Sequence, residues 1–419
     1  MSSSICTRFC SLLIGAIVLL AGATAAAMPG DLEAELIVDG LQFPVKMTSL
    51  GDGDLLINEK MGRVRLMRDG ELLDAPVAQF DVKVQNEAGL LDVVLTPEFE
   101  DSGEFLVSYT PEDNLEAIYV SRLVLDGDSA TVVDDPLIEL PSTPGADRHF
   151  AGTMAYDTTG EYLYVSVGEL RDPPLSQDLD TVSGSVLRYT PDGEIAEGNP
   201  FGDDNAIYAY GMRNPFGITV DDDDQIFIVE NSGDVNDELN HVEAGLNYGW
   251  PLVEGYCDNF PIYEPCEDAE LFEDPIFEFR TVNGPTSVIR YQEEMIPDFD
   301  GDLMVTGWHS GQVHHLSWGG AGERAEERGI LFETPTSDAG FTDLHVDDDG
   351  SILVLESSSS SGAVYRIARA DDIHDPDATV NSNDDGSCAM VGLPGQPVGL
   401  IAVIFLALGI RRDLRGDAE

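Results

Sequence analysis

The chain has 419 residues, with 79 Asp and Glu against 21 Lys and Arg, for a formal net charge of −58. A surface this negative repels nucleic acid and anionic lipid and suits divalent cations or a salty medium, which argues against a nucleic-acid partner. Most of the acid, including the run at 221–224, reads as solvated surface.

In chain order, Arg8, the apolar run Leu12–Leu20 and the small residues up to Ala27 form a secretory-signal pattern, predicting cleavage after Ala27 and an exported protein. From 28 to 370 one unit recurs: a short alternating strand, an Asp/Gly turn, a second apolar strand, another Gly turn and a third strand. Its copies begin at Met47, Leu91, Gly152, Phe216, Phe299 and Phe341. Period-two alternation with Gly and Asp punctuation predicts strands, and no stretch sustains a helical period. Six such copies predict an all-β chain folded as a six-bladed β-propeller, ranked above a β-sandwich. Residues 371–389 read as an acidic, Ser-containing linker. Residues 390–419 hold an apolar stretch broken by Pro394 and Pro397 and followed by Arg411, Arg412 and Arg415.

Polar groups from different blades of a propeller converge where the inner strands meet the channel mouth. His149, Glu169, Arg213, Glu230, His309 and Glu356 interrupt or end apolar strands and are the candidates. Each alone reads as a hydrogen-bonded strand-end residue, and recurrence across blades is what raises them. His314 and His315 are neighbours in one strand, point to opposite faces and read as structural. Cys6 and Cys10 leave with the signal and Cys388 belongs to the tail. Cys257 and Cys266 are most simply a disulfide closing a loop, because further soft ligands for a metal are missing nearby.

The run from Tyr210, YGMRNPFGITVDDDDQIFIVENSGDVNDELNHVEAGLNYGWP, carries GxRNPxG, DEL and NYGWP in that order. It resembles the soluble glucose and aldose sugar dehydrogenases (glucose/sorbosone dehydrogenases), six-bladed propellers that use pyrroloquinoline quinone (PQQ) and calcium. Supporting stretches from Glu87, His149 and Leu179 extend the resemblance over about residues 32–370. It implies that His149 is the base that takes the proton of the sugar hydroxyl, a task suited to its ordinary titration range. Glu169 stands where the family has an aspartate partner for this histidine. Arg213, followed by Asn214, matches the arginine that stabilises charge on the quinone. Glu87 corresponds to a Gln or Glu beside the cofactor. The carbonyls of Ser232 and Gly233, with Asp237, match a cofactor-linked calcium. Glu238, the backbone of Tyr248 and Asp258 match a second, structural calcium. A polar loop without metal is the alternative for these residues, ranked below calcium because DEL, NYGWP and YCD follow in order.

Where the family grips the carboxylates of PQQ, this sequence departs from it. The lysine position falls at His309, the two arginine positions fall near Gly340 and Thr342, and Thr153 replaces an arginine that usually follows the histidine. Each charge-assisted contact contributes about 1.5–3 kcal/mol, so losing three weakens binding by orders of magnitude. A protonated His309 and bound calcium offset part of that loss. The chain therefore reads as an exported PQQ-dependent dehydrogenase of an aldose or other alcohol, passing electrons to a soluble or membrane acceptor. The alternative is a non-catalytic, calcium-stabilised propeller that binds carbohydrate or protein at the cell surface. The balance leans to the enzyme, because His149, Glu169 and Arg213 are retained. The tail, with its Ser/Asp-rich linker, Cys388, apolar stretch and final arginines, resembles cleavable C-terminal sorting tags of Gram-negative surface proteins. A plain tail anchor is the other reading, and both place the protein in the periplasm or on the outer cell surface.

Overall fold

The recurring units become six antiparallel sheets, seen in a computed structural model that describes residues 30–373 except 115–116, 144, 234–235 and 258–270. Residues 1–29, which include the expected signal, with Asp258, Cys266 and the segment from 374 onward, lie outside the described residues. Blade one starts with the inner strand Pro44–Gly51, followed outward by Asp54–Glu59, Arg63–Arg68 and Glu71–Leu72, and a short strand at Ala78–Gln79 adds to it. The inner strands of blades two to six are Leu90–Leu95, Ala151–Tyr156, Pro215–Val220, Pro285–Arg290 and Gly340–Val346. Each inner strand packs against the next, and that of blade six packs against that of blade one, so the ring is closed.

Two features differ from the sequence expectation. The fifth unit begins at Pro285, and the Phe299 copy corresponds to the second strand of that blade, Leu303–Gly307. The outermost strand of blade six is Leu32–Leu41, which pairs antiparallel with Gly362–Arg369 from Leu32↔Arg369 to Leu41↔Gly362. One end of the described chain thus completes the blade built by the other.

The second strand of each blade is packed on both faces, which explains near-continuous apolar runs such as Leu163–Val167 and Ile226–Glu230 instead of alternation. Six hydrophobic clusters result, one in each gap between neighbouring blades. Burying a Leu or Phe in such a cluster contributes about 1.5–3 kcal/mol. Every inner strand also carries a bulge near its start, at Val45, Leu91, the Gly152–Thr153 pair, Phe216, Thr286 and Thr342. A bulge breaks the ladder and re-aims a side chain. Here the six bulges ring the same end of the channel.

Some of the acid that reads as surface is instead buried between blades, where it accepts backbone N–H groups. Asp92 Oδ2 in blade two accepts from the N–H of Met154 in blade three (2.6 Å). Asp343 Oδ2 in blade six accepts from the N–H of Met47 in blade one (2.9 Å), and its Oδ1 meets Lys46 Nζ (3.1 Å). Burial, opposed by Lys46 and reinforced by Asp343, pushes the Asp92 carboxyl up to about 7 from its ordinary 3.8. The folded state then holds a proton that the unfolded chain has released, so stability falls as pH rises from about 4 to 7 and levels off above. Urea titrations at several pH values should show a shallower fall for Asp92→Asn than for the wild type. Parallel curves would rule out Asp92 as the source.

Candidate active site

The six bulge residues floor a cavity of about 360 Å³ at the channel mouth, and loops between and within blades wall it. The segment before the inner strand of blade three carries His149 between two residues that line the cavity, Arg148 and Ala151. His149 and Ala151 both adopt left-handed backbone angles, φ 61° and 51°, an arrangement that costs about 1–3 kcal/mol per non-glycine residue and persists only where neighbours impose it. They do so here. The His149 N–H donates to Glu87 Oε2 (2.6 Å), and His149 Nδ1 pairs with Glu169 Oε1. That leaves Nε2 as the ring nitrogen not engaged by Glu169. His149 and Glu169 are both buried.

Arg213 is tied to the same network. Its carbonyl accepts from the Glu169 N–H (2.7 Å), and its own N–H donates to Glu230 Oε1 (2.5 Å). One guanidinium nitrogen donates to the carbonyl of Asn231 (2.6 Å), and the guanidinium lies 5.5 Å from the Trp250 ring centroid. Asn214 Nδ2 donates to Glu87 Oε2 (3.4 Å), so one carboxylate oxygen links the His149 backbone to the Arg213–Asn214 corner. Glu87 and Asn231 wall the cavity directly, and His149 and Arg213 are hydrogen-bonded to them. Asn214 Oδ1 and Glu169 Oε2 are buried without a protein partner, two polar atoms oriented by the site and left open.

The other expected residues separate into two groups. His309 is exposed at the cavity rim, and Thr153 and Thr342 are in the floor. Glu230 supports Arg213, whereas Glu356, in the second strand of blade six, accepts from Thr334 and Thr336 Oγ1 in the loop that leads into that blade. His314 pairs with Glu327 and Asn283, and His315 with Asp302, so the two share no partner.

The cavity also holds cations that the sequence reading missed. Lys60 and Arg148 are both in its wall, with Phe43 and Trp308 as near-parallel aromatic neighbours, centroids 6.2 Å apart. Lys60, Asn231 and Trp308 occupy the same place in their blades, directly after the second strand. Superimposing the six repeat units on one another is the signal that would have found them.

Among the calcium candidates, the Asp237 carboxylate accepts from the N–H groups of Ser232 (3.0 Å), Asn283 (2.7 Å) and Gly284 (2.8 Å), ordering the loop that enters blade five. Burial, with Glu254 and Glu278 adding repulsion, pushes Glu238 up to about 7, and burial with Glu238 nearby raises Glu230 as well. Crowded buried carboxylates of this kind are the hard-oxygen setting that calcium relieves. Among the described residues no group of three or more His, Cys, Asp or Glu forms a ready metal cage, and Asp258 lies outside them.

A six-bladed propeller with a carboxylate-held histidine and an arginine beside an aromatic cavity at its channel mouth is the architecture of a propeller dehydrogenase. The chain belongs to the glucose/sorbosone dehydrogenase family, whose model matches residues 41–366. It is 28% identical to aldose sugar dehydrogenase YliI of Escherichia coli K12 over 358 residues, covering 82% of this chain and 94% of that protein. The apo crystal structure of the soluble aldose sugar dehydrogenase of Escherichia coli superimposes with a TM-score of 0.71 at 28% identity, over 81% of this chain and 99% of that one. The PQQ-bound aldose sugar dehydrogenase of Streptomyces coelicolor shares the fold, with a TM-score of 0.66 at 22% identity over 81% of this chain and 100% of that one.

Proposed function

We propose that the protein is an exported PQQ-dependent dehydrogenase that oxidises an aldose or related alcohol at the channel mouth. The observation that carries this reading is the His149–Glu169 pair, linked through Glu87 and the Arg213 carbonyl to one wall of the cavity. The cavity suits a planar aromatic polyanion: Phe43, Phe216 and Trp308 offer apolar faces, while Lys60 and Arg148 offer charge. When bound, the quinone takes the hydrogen of the substrate C–H bond as a hydride.

His149 accepts the hydroxyl proton at Nε2, because Nδ1 is committed to Glu169. Glu169 holds the ring and stabilises the charge it gains. Arg213 is held by Asn231 and Glu230 where its charge can stabilise the developing anion. The proton taken by His149 and the hydride, which carries both electrons and would pass to the quinone, together would leave a carbonyl product. Calcium at the Ser232 and Gly233 carbonyls, and at Glu238, the Tyr248 carbonyl and Asp258, belongs to the same proposal. So do the Cys257–Cys266 disulfide, export through residues 1–27, and attachment through the segment from 390 to 419.

The test is reconstitution of the purified protein with PQQ in excess calcium, followed by dye reduction with a panel of aldoses. Saturable turnover that a chelator abolishes is the expected result. Calcium-dependent stability with no quinone binding and no turnover would overturn the enzyme reading and favour a binding propeller.

A further inference from the structure

Lys60 and Arg148 stand out electrostatically. In a chain of net charge −58, the cavity wall contains two cations and a single carboxylate, Glu87. Among the described residues neither cation has an acidic ion-pair partner, whereas Lys46, Arg63, Arg68, Arg122 and Arg290 are each spent on one or more. Glu87 is itself occupied by the N–H of His149 and by Asn214.

Lys60 is buried and fixed. Its N–H donates to the Phe43 carbonyl (2.9 Å), its carbonyl accepts from Leu90 (3.0 Å), and its Nζ donates to the Asn86 carbonyl and lies 4.6 Å from the Phe43 centroid. Gly89, at φ +153°, makes room for the stem: a Cβ there would sit 2.5 Å from the Lys60 carbonyl oxygen and 2.7 Å from Cγ. An ammonium has three donors, and Asn86 uses one. Burial lowers the tendency of this amine to hold its proton, and the Glu87 carboxylate opposes that. Arg148, exposed and next to His149, adds a second planar donor to the same wall.

We propose that Lys60 and Arg148 form a carboxylate-binding subsite, replacing on the side of blades one to three the cations missing at His309, Gly340 and Thr342 in blades five and six. The proposal rests on the quinone reading given above. The carboxylate is that of the bound PQQ, and an acidic sugar such as a uronate is the other source with the same chemistry. Lys60 holds it as a buried point charge, and Arg148 closes on it from the rim.

The experiment measures PQQ affinity by quenching of tryptophan fluorescence, with Trp308 in the cavity wall as reporter. It compares the wild type with Lys60→Gln, Arg148→Gln and, as a control for net charge, Arg328→Gln on the outer strand of blade five. Gln at 60 keeps a donor for the Asn86 carbonyl, and melting temperatures check the fold. Affinity should fall about 10- to 100-fold for Lys60→Gln and about 2- to 5-fold for the exposed Arg148→Gln, with Arg328→Gln unchanged. If PQQ affinity holds but both variants lose the thermal stabilisation that glucuronate gives over glucose, the subsite stands and its ligand is the acidic sugar. Wild-type levels of PQQ and glucuronate binding in both variants would overturn it. Failure of the wild type itself to bind PQQ would count against the quinone reading, and the glucuronate arm would then decide the subsite alone.

Discussion

Replacing His149 by glutamine should lower turnover by about 10²- to 10⁴-fold, the range that a positioned general base contributes, with little change in PQQ affinity or melting temperature. In the proposed mechanism this one ring moves the proton. Its backbone N–H is held by Glu87 and its Nδ1 by Glu169, so Nε2 is fixed in direction. Glutamine preserves size and polarity and tolerates the same backbone anchoring, but it cannot accept a proton near neutral pH. Stopped-flow reduction of the bound quinone by saturating sugar separates the chemical step from binding. Wild-type rates in that assay would remove His149 from the mechanism and move attention to Glu87.

The second large effect falls on a residue with no side chain. In Gly168→Ala, the new methyl would lie 2.0 Å from the His149 carbonyl oxygen, 2.6 Å from its carbonyl carbon and 3.1 Å from Asn214 Oδ1. Two of those atoms are backbone and cannot swing aside, so the peptide carrying His149 must shift. A displacement on the order of 1 Å costs about 10²-fold in rate, and overpacking a tight core costs about 1–3 kcal/mol. The expected result is a much lower kcat with PQQ still bound and a modest loss of stability. Full activity in this variant would mean that the loop relaxes without moving the base, and that the geometry at His149 is not limiting.

The architecture was legible because the repeat is written locally. Strand, Asp/Gly turn, strand recurs with residues that favour each conformation, and six copies specify six blades. Blade five was read out of phase, because Phe299–Trp318 resembles the other units more closely than the Pro-containing inner strand at Pro285–Arg290 does. The pairing of Leu32–Leu41 with Gly362–Arg369 has no local signal, since nothing near Leu32 specifies a partner at the far end of the chain. His149, Glu169 and Arg213 stand out in the sequence through an ordered motif, and the structure brings them with Asn214 and Glu87 into one connected network. Lys60 and Arg148 were not, because a cation in a turn looks like any other until ring closure sets it against a cavity. Reading the missing blade-five and blade-six cations as a net loss of charge overlooked that the wall has other sides.

The strand Leu32–Leu41 also imposes an order on folding. Among the described strands it comes first in the chain, yet its partner, Gly362–Arg369, comes last. Blades one to five can form from neighbouring sequence as they emerge, whereas blade six waits with an open edge until the two distant segments meet. Such long-range pairing is slow, since the loop-closure entropy must be met before the contact returns anything. The ring therefore stays unlatched until late in its assembly, and in that interval the unpaired edge of blade six is where a second chain could dock by mistake.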